Sequence, residues 1–289
     1  MTCSGDAQSK TGSIMRGLFT VDASRGSWAS VHSIMRDPRV TVCCDDKSST
    51  RIPAPSKEVP ITVVVPVLAV DWTLWESIFG LNFQRYENWK LLFVIGAPEL
   101  NDKAVSVIKT HRRFLPECKI FTPKRKLAPA EMLNAAIGSV ESEYFCLQMT
   151  PDHMHPSALA SVAESILEHE ADFYHTLRYK MSDNNWATPT AQIEYVDDWN
   201  CNLFRYRGLF TFRKQAVASV GGFAAGAGLN DPALVLIYDL LDVEAKVCAI
   251  NEYLYLSRIS DASAKTRNLI GAAWRRDLIK SRWPHRVGS

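Results

Sequence analysis

The chain has 289 residues, 47% of them hydrophobic and 22% charged, with 14 Gly, 14 Pro, 7 Cys and a formal net charge of +2. Such values are typical of a soluble globular protein and exclude collagen-like, low-complexity and wholly disordered chains. The length suffices to bury a sizeable core, as one domain with appendages or as two.

Residues 1–57 are rich in Ser, Thr, Asp and Gly and end in Arg51-Ile-Pro-Ala-Pro-Ser-Lys57, which reads as an N-terminal extension and linker with a candidate short helix at Trp28 to Met35. The first ten residues lack the basic and then apolar regions of a secretory signal. The longest apolar run, Ile61 to Val70, is broken by Thr62 and Pro66 and falls well short of the roughly 20 residues a bilayer span needs. A cytoplasmic location is the expectation. The seven Cys form an odd set without a CxxC and read as reduced thiols, with neither a disulfide frame nor a zinc site.

From Pro60 onward, short apolar β-branched runs alternate with amphipathic stretches, the pattern of βαβ units and a largely parallel sheet. Strands are expected at Ile61 to Val65, Lys90 to Ile95, Lys119 to Thr122, Tyr144 to Gln148, Asp172 to Leu177 and Lys246 to Ile250. Helices are expected at Trp72 to Phe83, Asn101 to Phe114, Pro129 to Val140, Pro156 to His169 and Pro232 to Leu241. Residues after 190 carry polar and aromatic segments and the Gly-rich stretch Val220 to Gly228.

Four pieces in order carry a resemblance. They are Pro60-Ile-Thr-Val-Val-Val-Pro-Val67; Gln84-Arg-Tyr-Glu-Asn-Trp-Lys-Leu91; Asn134-Ala135 with Glu143-Tyr144-Phe145 and Pro156-x-Ala158-Leu159; and Val220-Gly-Gly-Phe223 followed by Asp231, Leu254-Tyr255 and Arg258. Together they resemble family-2 glycosyltransferases of the GT-A fold, from Val59 to Ser260. The resemblance implies an α/β fold, Rossmann-like, with a mostly parallel sheet flanked by helices. Its implied organisation is an extension at 1–57, a GT-A domain at 58–260 and a basic amphipathic tail at 261–289.

The resemblance also implies a nucleotide-diphosphate sugar as donor, transferred with inversion to a saccharide or lipid-linked acceptor. Pro66, Val67, Gly96, Lys126, Asn134 and Arg258 fall on donor-binding positions, Asp231 on the base, and Asp152 on the remaining carboxylate for a divalent Mn or Mg ion. Hard cations of this kind take oxygen ligands and stabilise a departing diphosphate. Several positions depart from the family pattern. Met149-Thr150-Pro151-Asp152 keeps one carboxylate of Asp-x-Asp-Asp, Ile95-Gly96 replaces the paired Asp that contacts uracil, Leu68-Ala69 replaces Tyr-Asn, and Leu127-Ala128 replaces two glycines. A catalytically inactive binding or assembly protein is therefore the alternative.

Several features admit a second reading. Asp231 precedes Pro232 and is also a natural helix N-cap. Asp152 could cap a loop, and His153 and His155 could add nitrogen ligands or be structural. Lys124-Arg125-Lys126 could meet phosphate or simply be solvated, and Trp186, Tyr195, Trp199, Phe204 and Tyr206 could stack on an acceptor sugar or cover the sheet edge.

Residues 262–289 hold seven basic side chains against Asp277, a net of +6, leaving −4 for the rest. Ile270, Trp274 and Leu278 at i, i+4, i+8 mark an apolar helical stripe, suited to packing on its own domain or, over 262–283, to an anionic membrane surface. An acidic body without a binding module gives no expectation of nucleic acid.

Overall fold

A computed structural model describes residues 59–111, 115–150, 152–181, 187–189, 208–224, 232–258, 277 and 280–286. The N-terminal extension and its candidate helix lie outside them. In chain order the elements are β1 (Ile61–Val67), α1 (Trp72–Leu81), β2 (Trp89–Ile95), α2 (Asn101–His111), β3 (Cys118–Phe121), α3 (Pro129–Ser139), β4 (Tyr144–Leu147), β5 (His153–Met154), α4 (Ala158–His169), β6 (Phe173–Met181), β7 (Ala187–Pro189), β8 (Phe210–Arg213), α5 (Lys214–Ser219), α6 (Pro232–Asp242) and β9 (Val247–Arg258). Short 3-10 turns occupy Pro98–Leu100 and Pro284–Arg286.

One sheet runs in the order β3-β2-β1-β4-β8-β6-β9-β5, with β7 on β6. The β3-β2-β1-β4 part is parallel, with Val63 opposite Leu91 and Cys146. Every residue of β1 is buried, as a central strand covered on both faces requires. Alternation then divides its side chains. Val63 and Val65 join Leu74, Ile78, Ile108 and Leu159 on one face, and Val64 joins Leu133, Phe145, Phe212 and Leu236 on the other. Each fully buried aliphatic side chain contributes about 1.5–3 kcal/mol, so both faces are strongly specified.

The sheet differs from the expected one in its second half. β8 enters antiparallel between β4 and β6, Tyr144 opposite Arg213, and only β6 with β9 returns to parallel pairing. β9 also runs eight residues beyond the expected end at Ile250. The exposed Asn251 and Glu252 have no opposite residue on β6 where the register passes from Thr176–Ile250 to Leu177–Tyr253, and this bulge breaks the apolar run. Among the described residues, no helix is long and apolar enough to cross a membrane.

Candidate functional site

β1 is flanked by β2 on one side and β4 on the other, so the strand order reverses there. In open α/β sheets the crevice beyond the carboxyl ends at such a reversal is where ligands bind. Its rim is laced by main-chain bonds. The Gly96 N–H donates to Val67 O at 3.0 Å, the Leu127 N–H to Gly96 O at 2.9 Å, the Gln148 N–H to Val64 O at 3.0 Å, and the Thr150 hydroxyl to Pro66 O at 3.3 Å. Pro66, Val67 and Gly96 thus meet at the crevice, and the Leu127 bond brings Lys126 to its edge. Leu68, Trp72 and Met149, exposed by 51%, 56% and 39%, give this edge an apolar character.

Asp152 lies just past β4, yet its carboxylate turns into the protein, leaving the residue only 7% exposed. Oδ1 accepts the Arg258 N–H at 2.9 Å, and the Tyr255 and Ser257 hydroxyls donate to the same carboxylate. Burial raises its pKa to about 6, and these bonds together with the charge of Arg178 hold it from going higher. The main chain is equally committed. The Asp152 carbonyl accepts from Ser77 Oγ at 3.2 Å and Gln148 Nε2 at 3.1 Å, and its N–H donates to Met149 O at 2.7 Å.

Beside it, the Arg258 guanidinium bonds Glu76 Oε2 at 2.8 Å and stacks over the Trp72 ring at 4.8 Å. Both members of the ion pair are buried. His153 Nε2 lies 3.8 Å from the same Glu76 oxygen, but burial and then Arg258 push the imidazole down to about 3, so it is neutral. His155 is likewise held neutral at about 4 by burial, its Nδ1 within 2.7 Å of Ser157 Oγ. Glu76 was not singled out from the sequence. The available signal was a lone carboxylate on the apolar face of Trp72-Thr-Leu-Trp-Glu-Ser-Ile-Phe.

Asn134 reaches from α3 to the Gly-Gly-Phe turn after α5. Its Nδ2 donates to Phe223 O and its Oδ1 accepts the Phe223 N–H, both at 2.8 Å, so the amide is spent on the fold. Gly222 has φ +83°, and a Cβ there would stand 2.6 Å from Asn134 Oδ1. Gly221 shares that φ but faces open space. Gly222→Ala is expected to cost about 2–3 kcal/mol and Gly221→Ala about 1 kcal/mol in urea denaturation, because only the first adds a clash to backbone strain. Equal losses would sink this account of the clamp.

On the rim, Arg125 is engaged by Glu131 in a two-pronged pair, at 3.1 and 3.0 Å, leaving the exposed Lys124 and Lys126 as the outward charges of the triplet. Arg125 and the Ala128 N–H hold Glu131 down at about 2. Asp231, the five acceptor-side aromatics, Pro151 and residues 259–276 lie outside the described residues. Residues 280–286 pack on α6: Trp283 is 2% exposed and sits 5.3 Å from the Tyr238 ring, Arg282 pairs with Asp239, and His285 and Arg286 pair with Asp242. A recess bounded by Asp172, Arg213 and Glu244 lies at the opposite end of the sheet and shares no residue with the crevice.

The sequence profile described as glycosyl transferase family 2 matches residues 62–227, more than half of the chain. The chain belongs to that family. The match spans every crevice residue from Pro66 to Asp152 and the Asn134 clamp on Gly222-Phe223. Similar solved structures share the GT-A architecture of these family-2 enzymes. S. aureus TarS 1-349 in complex with UDP-GlcNAc is 17% identical with a TM-score of 0.57, over 70% of this chain and 59% of that one. The mannosyltransferase PcManGT from Pyrobaculum calidifontis, in complex with GDP-Man and Mn2+, is 14% identical with a TM-score of 0.53, over 77% of this chain and 63% of that one. The chain thus spans about 60% of the length of the TarS fragment. No curated relative matches it.

A divalent ion fits this family-2 crevice poorly. Among the described residues, no three His, Cys, Asp or Glu side chains converge on a cation position, and the Asp152 carboxylate is already bonded by protein donors.

Proposed function

We propose that this chain is a glycosyltransferase that moves a sugar from a nucleotide-diphosphate sugar to a saccharide or lipid-linked acceptor with inversion. The observation that carries the reading is the crevice at the carboxyl ends of β1 and β4, inside the segment matched by the family. The nucleotide sugars in the TarS and PcManGT complexes support the donor class. Gly96 and the backbone of Pro66 and Val67 would form the floor, with Lys124 and Lys126 at the edge where a diphosphate carries its charge. Asp231 would take the proton of the attacking acceptor hydroxyl as its oxygen bonds the anomeric carbon and the nucleoside diphosphate departs. The part of 262–283 that precedes the docked Arg282 and Trp283 would bring the domain to an anionic membrane surface where lipid-linked acceptors reside.

Asp231→Asn is expected to lower turnover by about 10²–10⁴-fold while leaving donor binding in calorimetry unchanged. A rate equal to wild type would remove Asp231 from the reaction. The inward turn of Asp152 and the apolar rim of Leu68 and Met149 favour a second reading, a non-catalytic relative serving as a binding subunit. Any turnover by wild type that Asp231→Asn abolishes rules that reading out.

A further inference from the structure

We propose that the crevice of this chain takes its ligand without a divalent cation, and that Asp152 is a positioning residue that latches the end of β9 to the turn after β4. The nature of the ligand rests on the glycosyltransferase reading; the state of Asp152 does not.

The first ground is the acceptor count. A carboxylate offers about four lone-pair positions. One is taken by the Arg258 N–H at 2.9 Å, the Tyr255 and Ser257 hydroxyls act on the same carboxylate, and the residue is nearly sealed from water. Mg2+ and Mn2+ demand oxygen ligands at about 2 Å in open octahedral geometry and keep several waters. Asp152 could supply an oxygen only by giving up bonds to β9, and its own N–H and carbonyl, bonded to Met149, Ser77 and Gln148, hold it against such a turn.

The neighbouring chemistry points the same way. Met149 offers a thioether, which hard cations bind weakly, and the Thr150 hydroxyl is directed to Pro66 O. The charge that acts on Asp152 is already a guanidinium group, that of Arg178, and a dication would have to approach against it. Positive charge for an anionic leaving group then has to come from side chains. Lys124 and Lys126, carried at the rim by the Leu127–Gly96 bond, are placed to supply it.

The same contacts explain what the carboxylate does instead. Tyr255 donates to Asp152 and accepts the Met149 N–H at 3.1 Å, so one ring and one carboxylate tie both sides of the β4–β5 turn to β9. Without the carboxylate, the Arg258 N–H and two hydroxyls lose their acceptor at once.

The test uses the full chain in two arms. In the first, free Mn2+ is followed by electron paramagnetic resonance as protein is added. The expected result is an unchanged free-ion signal. A loss that saturates near one ion per chain overturns the proposal, and its abolition by Asp152→Ala would make that carboxylate the ligand. In the second, thermal melting compares wild type with Asp152→Ala and Asp152→Asn. The alanine variant is expected to melt lower by about 5 °C or more, and the asparagine variant, which retains an acceptor for the Arg258 N–H, should recover part of that loss. An alanine variant that melts with wild type overturns the latch. Calorimetry with UDP and GDP in EDTA adds an independent reading. Binding there supports cation independence. Failure to bind with or without Mn2+ counts against the glycosyltransferase reading, while the ion and melting arms still decide the state of Asp152.

Discussion

Acidification from pH 6.5 to about pH 4 is expected to destabilise the chain by about 2–3 kcal/mol per pH unit near pH 5. Three imidazoles are buried in the neutral form, with His153 at about 3 and His155 and His175 at about 4. In the unfolded chain each returns to its ordinary value of about 6.5. Across this window the unfolded state therefore binds more protons, and stability is lost as pH falls. Asp152 opposes this, because its raised value of about 6 makes the folded state the better proton binder between pH 4 and 6. Three histidines against one carboxylate leave about two net protons at pH 5, each contributing about 1.4 kcal/mol per pH unit. A domain of ordinary stability, about 5–15 kcal/mol, would approach unfolding near pH 4. Urea denaturation at pH 7, 6 and 5 measures the slope. A flat profile would show that the imidazoles are not held neutral, and His153→Gln should reduce the slope by about one proton.

Arg258→Met is expected to cost about 3–5 kcal/mol, and more than the paired change Glu76→Met with Arg258→Met. The ion pair is buried, with the Glu76 side chain 2% exposed, so removing the cation alone strands a carboxylate in a low-dielectric interior. Removing both partners replaces the pair with apolar volume, which is often close to neutral. The Arg258 N–H that serves Asp152 is main chain and survives either change. Chemical denaturation of the two variants decides the matter. If the single variant is no less stable than the double, the pair is not the buried unit described.

Much of this fold was legible because β1, β2 and the helices around them announce themselves locally. A seven-residue apolar strand buried on both faces has few other places to go. β8 was not legible, since four residues inserted antiparallel depend on β4 and β6 for their role. The motif pieces were legible as a series but not as contacts: Asn134 and Gly222-Phe223, some 89 residues apart, turn out to be the two halves of one clamp. The site was read less completely. Pro66, Val67 and Gly96 do gather at the crevice, where main-chain geometry alone places them. The direction of the Asp152 side chain was out of reach, because Tyr255, Ser257 and Arg258 lie more than 100 residues away. For His153 and His155 the sequence left nitrogen ligation and a structural role both open, and in the fold one lies beside a buried carboxylate and the other is turned to Ser157.

The docking of Trp283, Arg282 and Arg286 on α6 changes what the basic segment is. The described chain leaves β9 at Arg258 and is held on α6 at Arg282, Trp283 and Arg286, so both ends of the intervening stretch are tied to the domain. Any surface that this stretch meets would be held close to the side of the domain bearing α6 and the end of β9, and it would set the orientation of the crevice along with its location. A carboxy-terminal deletion that removes Trp283 would therefore release one anchor and loosen that orientation.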